Sequence, residues 1–360
     1  MEIDSQEPQV VMLHAAYSSE EGTFKVVFNS TEEYLYTPCL KLQPDYNPQK
    51  FDLFVLHNER SDYGEDSIYQ VLVEDRTRIG WIFPIQALDS TDHSYCNNEH
   101  FLKYAYVAIA KLLNSEQVIK NNWDSYEITL SDLFSMNETI LLLDNTNTDK
   151  IEGFSLDNYV TSLYAHGYSF TGNGNLYDSC EKVKDKHLIL KPMSEQLKDS
   201  KYIVSMYKSI IPRTQDTIAS FYLEYQMIEI MISKIFRQEF SSLINKIKAA
   251  NPEDDLYEFK DELTEKANEA FRVQKLFGSY TKIDATLRND LFDECNRLLG
   301  HYGMKTKDDA AKSLYAVRSL LVHRCYLIDE EGLLILKNIN DVLNGVIIQM
   351  IISFKLQVVS

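Results

Sequence analysis

The segment from Thr214 to Ile247 most constrains how this chain can fold. Its apolar residues recur with helical periodicity, Pro212 precedes it, and Asn251 and Pro252 follow it. Because proline is tolerated at the start of a helix but breaks its interior, the two prolines delimit one continuous helix. The pattern therefore predicts a second half built from long helices.

Four further segments of the second half have the same periodicity. They run from Pro252 to Phe271, from Asp284 to Leu299, from Lys307 to Ile328 and from Ile339 to Leu356, with a turn predicted at Asp329 to Gly332. The longest apolar runs, Met227 to Ile235 and Val346 to Phe354, contain polar residues and are too short to cross a bilayer. We therefore expect no membrane contact.

The first half instead contains short segments rich in β-branched and aromatic residues. The predicted strands lie in Val10 to Tyr17 and Thr23 to Phe28 (a hairpin), Ile68 to Phe83 (a pair of strands) and Leu188 to Leu190. One helix is expected from Glu99 to Leu113, and a loop from Asp144 to Asp149. The predicted architecture is an α+β domain over residues 1–195, a short connector, and an all-α bundle over residues 211–360.

The charge of the chain is concentrated in its first half. Residues 1–200 contain 15 Lys and Arg against 32 Asp and Glu, and residues 201–360 contain 21 against 22, so the net charges are −17 and −1. Because phosphate neutralisation dominates nucleic-acid affinity, the acidic first domain suits a basic protein partner better than RNA. The acidic N-terminus is unlike a signal peptide, and the five cysteines lack paired spacing, so we expect a cytoplasmic protein.

Arg318 and His323 are the strongest candidates for chemistry. They are separated by four residues within the predicted helix from Lys307 to Ile328. An imidazole, whose usual pKa lies near neutrality, can take a proton from a 2′-hydroxyl or give one to a departing 5′-oxygen. A guanidinium can hold the charge that develops on the phosphoryl group in between. The two groups are sufficient to cleave RNA with no metal and no other cofactor.

The surface of this helix indicates how the pair would have to work. One apolar stripe, the predicted core face, consists of Leu314, Val317, Leu321, Cys325 and Ile328. A second stripe consists of Tyr315, Ser319, Val322 and Tyr326. Arg318 and His323 flank the second stripe about 140° apart, so one helix makes a poor catalytic pair. Two copies meeting across a two-fold axis would bring each Arg to the other copy's His, with Ser319 one turn before His323 to orient the imidazole.

The run from Val317 to His323 resembles the motif of the HEPN superfamily, whose members combine a helical bundle with an Arg and a His on one helix. A weaker likeness lies in Phe221 to Glu229, which is similar to an early long helix of such domains in bacterial defence proteins. The resemblance covers residues 211–360. It implies a dimeric, metal-independent endoribonuclease of toxin or antiviral type, with Arg318 and His323 as its catalytic residues.

Two positions depart from the family pattern. Ser319 stands after the Arg, where Asn, Asp or His is common, and Tyr326 follows the His by three residues, whereas some toxins of the family have a tyrosine two residues after it. The functional expectation is an RNA-cleaving homodimer that an inhibitory or activating protein controls. The alternative is a non-catalytic interaction protein, in which the bundle dimerises and the acidic domain binds a protein partner.

Three other features have both a functional and a structural interpretation. Glu229 lies among apolar residues of the long helix, where it either pairs with Arg318 or belongs to a solvent-facing stripe. His93, Cys96 and His100 are metal-binding residue types, but they lack a fourth ligand and paired spacing, so a loop and helix start is favoured. The basic stretch from Lys182 to Arg213 either guides RNA or, as we favour, forms a solvated face.

Overall fold

The computed structural model describes residues 9–28, 32–58, 60, 63–73, 76–119, 126–135, 138–171, 183, 185–250 and 256–356. The chain divides by its contacts into two units. The first, β-rich unit comprises Met1–Phe154, Tyr168–Gly172 and Lys182–Leu190, and the second unit comprises Ser155–Gly167, Asn173–Glu181 and Lys191–Ser360. This division groups residues 155–167 with the helical half, whereas the sequence assigned them to the first domain.

The first unit contains two sheets. Its strands are β1 (Gln9–Ser18), β2 (Thr23–Phe28), β3 (Glu32–Tyr36), β4 (Phe51–Asn58), β5 (Tyr69–Val73), β6 (Thr77–Pro84), β7 (Glu116–Ile119), β8 (Glu127–Ile128), β9 (Glu138–Asp144), β10 (Tyr168–Ser169) and β11 (His187–Leu190). One sheet has the order β7-β1-β2-β3-β8, and the other has the order β10-β4-β9-β6-β5-β11. The predicted hairpin is confirmed as the antiparallel pair β1 and β2, and the predicted strand pair as β5 and β6.

Helix α1 (Glu99–Leu112) supplies one side of the core of this unit. Its buried residues include Phe101 and Tyr104, whose rings contact the indole of Trp81 on β6. Asn98 caps the helix by accepting a hydrogen bond from the backbone N–H of Phe101 at 3.0 Å. The helix predicted from Glu99 to Leu113 is therefore confirmed, and its apolar face is the buried one.

Two short α-helices also lie in the described part of the first unit, α2 (Leu130–Leu133) and α3 (Asn145–Thr148). The second corrects the loop predicted from Asp144 to Asp149. The Asp144 side chain accepts a hydrogen bond from the backbone N–H of Thr146 at 2.9 Å and so starts a single helical turn. The same Asp and Asn residues that favour turns also favour the first position of a helix, so composition alone did not separate the two.

The second unit is helical. Its helices are α4 (Val160–Ala165), α5 (Lys201–Ser205), α6 (Thr217–Ala249), α7 (Leu256–Ala267), α8 (Glu269–Lys275), α9 (Ala285–His301), α10 (Ala310–Arg324) and α11 (Glu330–Ser353). Aspartates cap the four longest, α6, α9, α10 and α11, and these are Asp216, Asp284, Asp309 and Asp329. Each aspartate accepts a hydrogen bond from a backbone N–H that the helix itself leaves unpaired.

Several predicted boundaries of the second unit were wrong. In the segment predicted as one helix from Pro252 to Phe271, the described residues form two helices, because Asn268 ends α7 and caps α8. The turn predicted at Asp329 to Gly332 is the first turn of α11, which begins at Glu330 rather than Ile339. The segment treated as a connector between residues 195 and 211 is partly helical, since it contains α5.

Helix α11 lies in the core of the helical unit, where it packs against α6 and α9. It is 24 residues long and, by length and composition alone, apolar enough to cross a membrane. Its most apolar stretch is 61% buried within the protein, as is common for the core helix of a soluble domain. The prediction considered only the shorter run from Val346 to Phe354, so it missed this length.

Candidate functional site

Helix α10 carries both candidate catalytic residues and is anchored by its apolar face. Leu314, Val317 and Leu321 are fully buried, which confirms the first part of the predicted core face. Cys325 and Ile328 lie beyond the helix end and are half-buried. The helix is thereby fixed in rotation, so the directions of its polar side chains are fixed as well.

Arg318 lies in a partly exposed setting built by three other side chains. Its guanidinium is 3.6 Å from a carboxylate oxygen of Glu229 on α6 and 3.8 Å from one of Glu269 on α8. It also lies over the ring of Tyr225, 5.8 Å from the ring centre. The Arg318 side chain is 24% exposed. These contacts hold the cation at one place on the surface of the bundle.

The hydrogen-bonding capacity of Arg318 remains available. Both carboxylate distances are too long for a hydrogen bond, and among the described residues none accepts one from this guanidinium. A guanidinium has five N–H donors in a planar fork that matches a phosphate or a carboxylate. Arg318 is therefore oriented by charge and by an aromatic face, while its N–H groups donate no hydrogen bond to the described residues.

Tyr225 and Glu269 were not foreseen from the sequence. Tyr225 is buried, and its hydroxyl donates a hydrogen bond to Glu269 at 3.3 Å. Burial raises the pKa of Tyr225, and the negative charge of Glu269 raises it further, so the phenol stays protonated and remains a donor. One signal was present in the sequence, because Tyr225 and Glu229 are four residues apart on α6 and so lie on one face.

Glu229 was predicted either to pair with Arg318 or to face solvent, and it does both. Its side chain is 47% exposed and also contacts the guanidinium. The buried carboxylate of this region is instead Glu224, which is fully buried one turn and a half earlier on the same helix. Partial exposure spares Glu229 most of the desolvation cost of a buried ion pair.

His323 lies in the last turn of α10 and is exposed. Its imidazole makes no hydrogen bond or ion pair with any residue that the structure describes, and in particular none with Ser319 one turn before it. Ser319 and Tyr315 are half-buried, and Tyr326 is 82% exposed. The structure thus leaves the imidazole accessible and leaves the orienting role of Ser319 a prediction.

The end of α10 and the start of α11 also expose large apolar side chains. Four of them define a patch, hereafter the apolar patch, formed by Val322 (44% exposed), Tyr326 (82%), Leu327 (44%) and Leu334 (67%). Val322 immediately precedes His323 in the sequence, and Tyr326 and Leu327 follow it closely. Exposed large apolar side chains near a candidate site commonly mark a binding face.

The other candidates are accounted for by local structure. His93 is buried, its Nδ1 accepts a hydrogen bond from the backbone N–H of Tyr95, and its Nε2 donates one to the carbonyl of Ala87. Within the described residues no group of three or more metal-binding side chains comes together. In the basic stretch, Lys198 and Lys208 pair with Glu195 and Asp157, whereas Lys182 and Lys184 lie outside the described residues.

The site is thus a surface guanidinium with free donors and an exposed imidazole on one helix. No family model, no curated protein and no solved structure matches this chain.

Proposed function

We propose that this protein is a metal-independent endoribonuclease of HEPN type that acts as a homodimer, with Arg318 and His323 as its catalytic residues. One observation carries the proposal. Arg318 is fixed by Glu229, Glu269 and Tyr225, yet it has no hydrogen bond to the described residues, and an exposed imidazole follows it on the same helix. A cation that only stabilised the fold would be expected to donate hydrogen bonds to the carboxylates beside it.

The proposed reaction is an internal transfer on the RNA backbone. His323 takes the proton of a ribose 2′-hydroxyl, whose oxygen attacks the adjacent phosphorus. The bond from phosphorus to the 5′-oxygen breaks, and that oxygen receives a proton from an imidazolium at the same site. The products are a 2′,3′-cyclic phosphate and a free 5′-hydroxyl. Arg318 stabilises the negative charge on the phosphoryl oxygens during the transfer.

A second copy of the chain is required by this chemistry. Arg318 and His323 point to different sides of α10, about 140° apart, so they do not face one phosphate from a single helix. The apolar patch, whose residues precede and follow His323 in the sequence, would serve as the self-association face. A two-fold contact there would place the Arg of one copy opposite the His of the other. The acidic first unit would then bind the protein that restrains or activates the nuclease, in a role of toxin or antiviral type.

The test is RNA cleavage in excess EDTA by the wild-type protein, by Arg318→Ala and by His323→Ala. Each variant is expected to lose at least about a hundredfold in rate. An equimolar mixture of the two variants, refolded together, should recover up to about a quarter of the wild-type rate, because half of the dimers then contain one complete site of two. Lys248→Ala, an exposed change at the far end of α6, is the control.

Three outcomes separate the alternatives. RNA left intact by all of the proteins, under every triggering condition, would support the non-catalytic interaction protein. Activity that survives both substitutions would place the chemistry elsewhere in the chain. Mixtures that recover nothing, although each variant still dimerises, would refute a site shared between two copies.

A further inference from the structure

A groove on the helical unit adjoins the candidate site. It lies between the start of α5 and the middle of α6 and has a volume of about 530 Å³. Residues of α6 at positions 226, 229, 230, 233, 234 and 237 line it, at spacings that keep them on one side of the helix. Glu229, the second residue of this row, is the one whose carboxylate contacts Arg318. The groove therefore leads away from the guanidinium.

Two cations lie further along the groove. Lys234 is half-buried and Arg237 is exposed, and within the described part of the chain neither forms an ion pair. They lie about 8 and 12 Å beyond Glu229 along the axis of α6. Several other cations around α6 are paired, such as Lys246 with Glu262 and Lys275 with Glu239. Unpaired cations in a concave surface attract an anionic ligand.

An aromatic face lies on the opposite side of the groove. Tyr202 on α5 is 45% exposed, and its hydroxyl donates a hydrogen bond to the side chain of Gln226. This bond holds the ring at the rim, and Ile230 supplies an apolar surface beside it. The hydroxyls of Ser200 and Ser233 add neutral donors. Proteins that bind single-stranded RNA combine cations that contact its phosphate backbone with an aromatic ring on which a base stacks, and the groove has both.

We propose that this groove, named here the α5–α6 groove, binds the single-stranded RNA that flanks the cleaved phosphodiester. Lys234 and Arg237 contact successive phosphates, and Tyr202 stacks on a base. The assignment rests on the proposed nuclease function, because it makes the groove the extension of that site. It also predicts a substrate class, since a strand held along α6 and stacked on one ring must be unpaired at that point.

The binding test uses the full chain and a fluorescein-labelled RNA 12-mer made uncleavable by 2′-O-methylation, in a salt series. Removing two phosphate contacts with the double variant Lys234→Gln/Arg237→Gln should reduce the slope of log Kd against log salt by about 1.4. Tyr202→Ala should weaken binding at least about fivefold, and Tyr202→Phe, which keeps the ring but loses the bond to Gln226, should weaken it less. The control is Lys246→Gln/Lys248→Gln, which removes two exposed charges from the same helix and should leave the slope unchanged.

Cleavage kinetics separate the groove from the catalytic site. For the cleavable 12-mer the Lys234→Gln/Arg237→Gln variant should raise KM and keep kcat, whereas a dinucleotide too short to reach the groove should be cleaved as by the wild type. If this variant cleaves RNA as the wild type does, with the same KM and the same salt slope, the groove assignment is refuted and the nuclease proposal is unaffected. Groove-dependent binding without any cleavage would support the groove and refute the nuclease. Equally tight binding of poly-glutamate, insensitive to Tyr202→Ala, would show a face for acidic proteins and overturn the RNA assignment.

Discussion

Gly80 on β6 is a residue whose type is imposed by one close contact. It pairs with Leu143 on β9, and a Cβ at this position would overlap the backbone carbonyl oxygen of Leu142. Both strands are central in their sheet, so neither can move aside without breaking its other ladder. Glycine is used here for the approach of two backbones rather than for a turn.

We predict that Gly80→Ala destabilises the first unit by about 3 kcal/mol or more, because the added methyl group forces β6 and β9 apart. Urea unfolding followed by the fluorescence of Trp81, which is buried on the same strand, measures the effect. Gly300→Ala is the matched control, since that glycine lies within α9 with open space around it. It should leave stability unchanged or raise it by up to about 1 kcal/mol. Equal stability of the two variants would contradict the role given to Gly80.

At the residue scale the sequence pointed to candidate side chains but not to all of their contacts. Arg318, His323 and Glu229 were found because their types and spacing have chemical meaning on a helix. Glu269 was missed because nothing local distinguishes a glutamate in the first turn of a helix from many others. Its contact with Arg318 depends on how α8 packs against α10, which is a tertiary fact.

Helix starts are the elements in which local chemistry is clearest. The Asp329 side chain accepts hydrogen bonds from the backbone N–H of Gly332 at 2.8 Å, from the hydroxyl of Tyr302 at 3.0 Å and from the imidazole of His301 at 3.2 Å. These hydrogen bonds lower the pKa of Asp329 below its usual range, and the largest contribution comes from the backbone N–H of Gly332. A Cβ on Gly332 would overlap the Tyr302 hydroxyl, which explains glycine in a first helical turn.

The start of α11 should therefore be sensitive to acid. Because the pKa of Asp329 is lower in the folded state than in the unfolded chain, its contribution to stability is complete above about pH 4 and is lost as the pH falls through the folded value. We predict that Asp329→Asn lowers Tm at pH 6 and that this difference from the wild type shrinks towards pH 2. Circular dichroism melts across this range check it, with Asp293→Asn on the exposed face of α9 as the control. A difference in Tm that is constant with pH would contradict the prediction.

The same element shows why boundaries were harder to predict than helices. Asp329-Glu330-Glu331-Gly332 has the composition of a turn, and the sequence was interpreted as one. Whether an Asp near a Gly forms a turn or caps a helix depends on its tertiary contacts. Here the Asp329 side chain accepts a hydrogen bond from the hydroxyl of Tyr302. Long periodic segments such as α6 were predicted within a few residues, since periodicity integrates over many positions.

For the molecule as a whole, the change from short strands to long helices was visible in the sequence, and the structure confirms a β-rich region followed by an all-helical one. The order of strands in the two sheets was not visible in the sequence, because β4 pairs with β9 and β11 pairs with β5 across long stretches of chain. Such long-range pairings leave no local pattern in a single sequence.

The apolar patch gives a prediction at this scale. Placing a charge in a buried contact is costly, so Tyr326→Asp/Leu334→Asp should weaken self-association at least about tenfold and reduce RNA cleavage in parallel. Sedimentation velocity measures the first effect. Leu263→Asp on α7, which replaces another exposed apolar residue, should change neither. A dimer that persists in the double variant would place the two-fold contact on another face.

The two carboxylates beside Arg318 have a consequence for how any polyanion arrives. The two negative charges of Glu229 and Glu269 exceed the single positive charge of Arg318, so the site does not attract an anion from a distance. A phosphate gains from the guanidinium only once it is close enough to use the free N–H fork, and it must then crowd at least one carboxylate. Binding of a phosphate at Arg318 therefore depends on hydrogen-bond geometry at short range rather than on long-range electrostatic attraction. An RNA strand that fits badly dissociates quickly.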